Sequence, residues 1–116
     1  MMVEEGDGVV TEIFHFADPT RWQLAQALGQ YAPESFIGEG FIHAATRAQI
    51  PGVTERHLRG TGPRVQLTLD CTALGEIVQW EWSDAGGDLF PHVFGPIPLA
   101  AVTACAPFDP DQATAN

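Results

Sequence analysis

Three histidines are the residues best suited to chemistry in this sequence: His15, His43 and His92. Imidazole gains or loses a proton near neutral pH, and it can also polarise a substrate or bind a metal. Each of the three is flanked by apolar residues and ends or interrupts a strand-like segment, so we expect partial burial. Their shared position at strand ends predicts that they converge on one cleft.

Three interpretations of these histidines stay open. Each could be hydrogen-bonded in the core without further function. The three together could form a metal site, as in catalytic zinc centres, but no pair has helical ligand spacing, and Cys71 and Cys105 are dispersed. We therefore expect no bound metal and two free core thiols. The third interpretation is a polar pocket that binds or polarises a small substrate.

Glu81 is a further candidate because it lies between Trp80 and Trp82 in a strand-like segment. Desolvation by two indole rings would raise the pKa of the carboxyl group and suit it to acid–base chemistry. Alternatively, Glu81 points to solvent from a half-buried strand. The sequence contains no GxGxxG, no GxSxG and no glycine-rich loop followed by lysine.

The elements that carry these residues alternate between helix and strand in the first half of the chain. A strand over 11–16 carries His15, and Asp18 then caps a helix predicted over 19–28. A second strand-like segment over 39–43 ends at His43. Thr46 and Gln49 form a capping-box pattern for a second helix, with a distorted first turn, that reaches about residue 58. The free N–H groups at its start, with Arg47 beside them, favour an anionic ligand near His43.

Strands dominate the second half of the chain. Residues 64–70 alternate cleanly between apolar and polar, residues 77–82 form a further strand, and residues 101–108 form the last one. Residues 89–94 are predicted as an edge strand or extended loop because Pro91 interrupts them. This order indicates one α+β domain over 12–108 with a mostly antiparallel sheet, between flexible tails at 1–11 and 109–116.

Composition limits the partners of the chain. The 116 residues carry a formal net charge of −10, with five arginines and no lysine. Such a charge would repel a nucleic-acid backbone and an anionic membrane, but one arginine could still serve a small anionic ligand. No apolar run reaches the roughly 20 residues of a membrane helix, and the N-terminus lacks the features of a signal peptide. We therefore expect a cytoplasmic protein with a small-molecule ligand.

Several strings of the sequence resemble a bacterial family, domain of unknown function 952 (DUF952), over roughly residues 12–108. The resemblance rests on four strings: Gly29-Gln30-Tyr31, Glu39-Gly40-Phe41-Ile42-His43, Trp80-Glu81 and Phe90-Pro91-His92-Val93-Phe94-Gly95-Pro96. It also includes the single residues His15, Trp22, Gln49, Asp70 and Leu74. Ala44-Ala45 departs from the family pattern, which often has Cys-Ser there. A hydroxyl that could contact a ligand is therefore missing.

The resemblance implies membership in the ADP-ribosyltransferase-like superfamily. That fold is an α+β split barrel of two small, mostly antiparallel sheets with two helices around a nucleotide-sized cleft. His15 matches the first ligand-contacting position and His43 the second, while the third falls on His92 or Glu81. This similarity rests on the fold and does not by itself establish activity.

The expected function is therefore binding of NAD or a related nucleotide, with transfer or removal of an ADP-ribosyl-type group. His15 and His43, assisted by Arg47, would contact the ribose or phosphate, and His92 or Glu81 would stabilise developing charge or activate the acceptor. NAD would be a substrate, and no cofactor is required. The alternative is a non-catalytic ligand-binding domain with the same cleft.

Overall fold

The computed structural model describes residues 9–112 of the chain. Within these residues, eight strands form three antiparallel sheets. The strands are β1 (Glu12–Ala17), β2 (Gln30–Tyr31), β3 (Ile42–His43), β4 (Arg64–Asp70), β5 (Val78–Ser83), β6 (Asp88–Val93), β7 (Ile97–Pro98) and β8 (Val102–Phe108).

The larger sheets have the strand orders β1-β4-β8 and β3-β6-β5, and β2 pairs with β7 in a small third sheet. One isolated bridge joins β1 to the residue pair that follows β3. Phe14 and Ala45 exchange two backbone hydrogen bonds of 2.8 and 2.9 Å. This bridge brings the strand that carries His15 next to the strand that carries His43.

Helix α1 (Pro19–Leu28) begins and ends as its sequence predicts. The Asp18 carboxylate accepts a 3.0 Å hydrogen bond from the Arg21 backbone N–H, which would otherwise lack a partner in the first turn. Gly29 ends the helix with φ 83°, a backbone conformation that favours glycine. Two one-turn helices, α2 (Phe36–Glu39) and α4 (Cys71–Leu74), were not expected.

The capping box at Thr46 and Gln49 is confirmed, since each side chain bonds the other residue's backbone N–H. The helical segment that follows reaches Leu58, as expected, but it is distorted along its length and not only in its first turn. It runs as a 3₁₀ turn (Arg47–Gln49), one α-helical turn, α3 (Ile50–Val53), and a π-helical turn (Thr54–Leu58). Pro51 near its start removes one backbone donor and limits regular α-helical bonding.

The core lies between the inner faces of the sheets and α1. Along β1, Ile13, His15 and Ala17 alternate toward this core, opposite Leu69, Leu67 and Val65 of β4. Phe14 and Phe16 on the other face are also buried, so β1 is covered on both sides.

Strand β6 corrects one expectation, because it is the central strand of β3-β6-β5 and not an edge. Pro91 is tolerated there because its partner β3 has only two residues. The Pro91 carbonyl accepts a 3.2 Å hydrogen bond from Ala44, just beyond the end of β3. The ring nitrogen points to the same side and cannot donate a bond in return, so the ladder between β3 and β6 ends at this pair.

The α+β class with antiparallel sheets is confirmed, but the expected arrangement of two sheets is not. The strands form three sheets, and none closes into a barrel within residues 9–112. Both cysteines are free, as expected, although Cys105 is exposed on edge strand β8 and only Cys71 is partly buried.

The C-terminal boundary also differs from the expectation. Pro110 is fully buried, its carbonyl accepts a hydrogen bond from Arg59, and the Asp111 carboxylate accepts one from the Gly60 N–H. Residues 109–112 therefore belong to the packed domain. The rest of the expected tails, residues 1–8 and 113–116, lies outside the described residues. No helix in the described part of the chain is long and apolar enough to span a membrane.

Candidate functional site

His43 and His92 lie directly opposite each other on paired strands β3 and β6. Their ring centroids are 5.4 Å apart and the rings meet edge to face at 78°. The His43 side chain is 62% exposed and that of His92 is 12% exposed. The neighbouring pair Ile42 and Val93 points to the opposite face and is fully buried, which fixes the two histidines on the outer face of the sheet.

Each of these two histidines is paired with its own carboxylate. His43 Nε2 lies 3.2 Å from Glu39 Oε1, and His92 Nδ1 lies 2.6 Å from Glu81 Oε1. An ionised carboxylate can only accept, so the facing nitrogen of each imidazole carries the proton. In the neutral rings this leaves His43 Nδ1 and His92 Nε2 as acceptors, and neither has a hydrogen-bond partner among residues 9–112.

Glu39 reaches His43 because the chain reverses sharply between α2 and β3. Gly40 ends α2 with φ 82°, and its N–H donates a 2.7 Å hydrogen bond to the Phe36 carbonyl. A side chain at position 40 would strain this left-handed backbone conformation. The turn therefore depends on glycine, and it sets Glu39 beside the ring four residues later.

Aromatic rings surround the histidine pair. Phe41 is stacked on His92 with centroids 4.2 Å apart at 21°, and it meets the His43 ring edge-on at 4.8 Å. Phe94 lies 5.4 Å from Phe41 and is partly exposed. We refer to these four rings and the two carboxylates as the two-histidine face: Glu39, Phe41, His43, Glu81, His92 and Phe94.

His15 does not share this surface, so the expected convergence of three histidines is corrected to two. Its ring points into the core, where Nδ1 donates a 2.6 Å hydrogen bond to the His43 carbonyl. Its Nε2 accepts from the Tyr31 hydroxyl at 3.0 Å. Burial lowers the pKa of His15 to about 4, so the ring is neutral at pH 7. Both nitrogens are used, and none is left to contact a ligand.

Tyr31, in strand β2, is also part of this arrangement. It is fully buried between α1 and β1, and its ring lies 5.3 Å from that of His15. Burial raises the pKa of Tyr31 to about 12, which keeps its hydroxyl proton available for His15. Only the family resemblance, which includes Gly29-Gln30-Tyr31, singled this residue out.

Glu81 belongs to the site, but not for the reason that the sequence offered. Side chains alternate along β5, so the indoles of Trp80 and Trp82 project from the face opposite Glu81 and are largely exposed. The carboxylate of Glu81 is itself half-exposed. What distinguishes this residue is its contact with His92, across the strand pair, and not desolvation by indole rings.

Arg47 does not belong to the two-histidine face. Its guanidinium stacks over the Phe14 ring, 4.7 Å from the centroid, and faces the Glu12 carboxylate at 4.0 Å. The expected help to His43 in binding an anion is therefore not seen. In contrast, Glu39 and Phe41 were missed as site residues. The spacing of four residues between Glu39 and His43 was an available signal.

The described residues contain no group of three or more histidine, cysteine or acidic side chains placed to hold a metal ion. The two-histidine face offers two imidazoles that can act as general acid or base, each oriented by a carboxylate, beside a flat aromatic surface.

Comparison with known proteins gives a family but no activity. No curated protein matches the chain. The crystal structure of protein CC0527 from Caulobacter crescentus has a TM-score of 0.77 with 31% identity, over 85% of this chain and 87% of that one. The solution NMR structure of CC0527 has a TM-score of 0.72 with 31% identity, over 86% of each chain. The model of the family described as "Protein of unknown function (DUF952)" matches residues 16–105, and the chain therefore belongs to the DUF952 family.

Proposed function

We propose that the chain binds NAD or a related nucleotide on the two-histidine face and transfers or removes an ADP-ribosyl-type group there. The observation that carries this proposal is the His43–His92 pair, in which two imidazoles 5.4 Å apart each have their own carboxylate. Two oriented imidazoles can supply one base and one hydrogen-bond donor or acceptor to the same small substrate.

The charge and shape of the face favour the nicotinamide end of such a ligand. Phe41 and Phe94 offer aromatic surfaces, and Glu39 and Glu81 add negative charge around them. The nicotinamide ring of NAD is planar and cationic, so it is attracted by both features. In the described part of the chain, no arginine forms an ion pair, hydrogen bond or cation–π contact with this face, so we propose that the phosphates lie outside it.

His92 is the stronger candidate for the base. It is more enclosed than His43, and its 2.6 Å bond to Glu81 fixes the proton on Nδ1. In hydrolysis, the C1′–N bond breaks and nicotinamide leaves with its electron pair, becoming neutral. A water oxygen bonds C1′ and gives its proton to His92 Nε2. Glu81 stabilises the resulting imidazolium, and His43 Nδ1 accepts a hydrogen bond from a ribose hydroxyl.

The ADP-ribosyltransferase-like assignment is part of this proposal. It is supported by two three-stranded antiparallel sheets that approach each other at the Phe14–Ala45 bridge, with histidines near that junction. The role expected for His15 changes, since a buried ring with both nitrogens occupied supports the His43 backbone and not the ribose. A cytoplasmic location, where NAD is available, completes the proposal.

Binding without catalysis is the second candidate, favoured by one observation. His43 is 62% exposed, and both carboxylates are half-exposed. Water screens charges in such a setting and weakens the electrostatic stabilisation that catalysis needs.

Calorimetric titration with NAD, ADP-ribose and nicotinamide, combined with a nicotinamide-release assay, tests both candidates. We expect NAD to bind the wild type and not His43→Gln or His92→Gln. His57→Gln is the matched control, because His57 lies exposed on the π-helical turn. Release of nicotinamide supports the enzyme, and binding without release supports the non-catalytic domain. No heat of binding from any of the three ligands would refute both.

A further inference from the structure

A cavity of about 200 Å³ lies between the helical segment that starts at Arg47 and the turn joining β5 to β6. The side chains and glycines that matter for its chemistry are Gln49, Gly52, Arg56, Gly86, Asp88 and Phe90. Ligand pockets for drug-sized molecules are typically about 300–1,000 Å³. This cavity therefore suits a smaller molecule.

Arg56 supplies the cavity with positive charge. Its guanidinium lies 5.8 Å from the centre of the Phe90 ring. Glycines make the room for it, because a Cβ at Gly52 would lie 2.9 Å from Nη1, and one at Gly86 would lie 3.0 Å from Nη2. No carboxylate oxygen in residues 9–112 lies within 4.0 Å of this guanidinium.

Asp88 supplies negative charge to the same cavity. Its carboxylate accepts hydrogen bonds from Gln49 Nε2 at 2.9 Å and from the Leu89 N–H at 2.7 Å. These bonds lower the pKa of Asp88, so it is ionised at neutral pH. Gln49 is itself held by the Thr46 backbone N–H, through the capping box. The carboxylate therefore has a fixed position.

The cavity thus holds one positive and one negative group that do not pair with each other. We propose that it binds a small zwitterion, a free α-amino acid. The ligand carboxylate would pair with Arg56, its ammonium with Asp88, and its side chain would lie against Phe90. A multiply charged anion is disfavoured, because Asp88 would repel it.

This site is separate from the two-histidine face and does not depend on the function proposed there. Phe90 and His92 share one face of β6, but they are two residues apart, about 7 Å along the strand. The residues that define the two sites do not overlap.

The test is a titration of the full chain with each free amino acid, followed by backbone amide NMR. We expect at least one to give saturable shifts at Gly52, Gly86 and Asp88. The N-acetyl and the carboxamide derivatives of that amino acid should each bind about tenfold more weakly or not at all, since each removes one charge.

Variants test whether the charges of Arg56 and Asp88 bind the amino acid. Arg56→Gln and Asp88→Asn should each weaken binding about tenfold or more, whereas Arg47→Gln and Asp84→Asn, which remove the same charges outside the cavity, should not. Gly52→Ala should also weaken amino-acid binding, because its methyl group displaces the end of the Arg56 side chain. The fold should be kept, since the methyl group meets only that side chain.

The proposal is overturned if no free amino acid gives saturable shifts at millimolar concentration. It is equally overturned if binding survives unchanged in either Arg56→Gln or Asp88→Asn, or if either the N-acetyl or the carboxamide derivative binds as well as the amino acid. Circular dichroism of each variant verifies that a lost interaction is not lost folding.

Discussion

The buried ring of His15 holds the backbone of His43 in place, since Nδ1 of His15 donates a 2.6 Å hydrogen bond to the His43 carbonyl. The two histidines thus have different roles. His15 positions the short strand β3 from inside the core, while the side chain of His43 faces outward beside His92. Neutral His15 has a single ring proton, which lies on Nδ1 for this bond. Its bare Nε2 accepts from the Tyr31 hydroxyl, a contact that a protonated ring would lose.

The stability of the fold should therefore fall in mild acid. His15 has a pKa of about 4 in the folded protein, against 6.5 for an exposed histidine. The unfolded chain takes up this proton first, so the stabilisation is complete above pH 6.5 and is lost as pH falls toward 4. A shift of this size corresponds to about 3 kcal/mol. Urea unfolding between pH 7.5 and 4.5 would measure it.

His15→Asn is the informative comparison for this prediction. Its amide nitrogen can still donate to the His43 carbonyl but does not titrate, so the loss of stability in this pH range should be smaller. His57→Gln, which changes an exposed ring, should follow the wild type. Parallel curves for the wild type and His15→Asn would contradict the role given to His15.

Tyr31→Phe should destabilise the protein by about 1–3 kcal/mol, the usual cost of an unsatisfied buried polar group. The variant removes the hydroxyl that lies 3.0 Å from His15 Nε2 and keeps the aromatic packing. Urea unfolding at pH 7.5 is the measurement. A double variant with His15→Asn should be less destabilised than the sum of the two changes, because the residues share one bond. If the destabilisation of the double variant equals the sum of the two single variants, Tyr31 and His15 are not coupled.

Glu81→Gln should distinguish two effects of Glu81 on the proposed reaction: the hydrogen bond that orients His92 and the negative charge that stabilises its imidazolium. Glutamine can still accept a hydrogen bond from His92, but it cannot stabilise an imidazolium. We expect about a hundredfold loss in the rate of nicotinamide release at saturating NAD, because general base catalysis contributes roughly 10²–10⁴-fold. Saturating NAD is needed because loss of the Glu81 charge also weakens attraction of the cationic ring. Asp84→Asn removes a nearby exposed charge outside the site and serves as the control. Equal rates in Glu81→Gln and the wild type would remove Glu81 from the mechanism.

The chain should not bind nucleic acid at physiological salt. Its net charge is −10 and it has no lysine, so contacts with phosphates cannot outweigh repulsion. A gel-shift assay with generic RNA and DNA measures this directly. Micromolar binding to either would show that local charge, not net charge, governs the interaction.

Local rules predicted the elements whose signals are short in sequence. Asp18 before Pro19, the Thr46–Gln49 box and the alternation over 64–70 each define an element through neighbours a few residues apart, and all three are confirmed. Pro91 misled the assignment of β6, because a central strand tolerates a missing donor where the ladder to its partner strand ends. That depends on strand pairing, which local patterns do not contain.

The candidate site, like the fold, could be predicted from local sequence patterns only in part. His43 and His92 were found from residue type and position at strand ends. Which of the three histidines meet could not be predicted, because the answer depends on sheet register: His43 pairs with His92, while His15 pairs with Leu67. Glu81 was selected for its indole neighbours, but alternation along β5 puts those on the other face.

Histidine-selective NMR during titration with NAD tests the central claim most directly. Four ring signals can be followed, one for each of His15, His43, His57 and His92. We predict that the signals of His43 and His92 shift together and saturate, that His57 is unchanged, and that His15 responds weakly through the His43 carbonyl. Unchanged His43 and His92 signals at saturating NAD would contradict the claim.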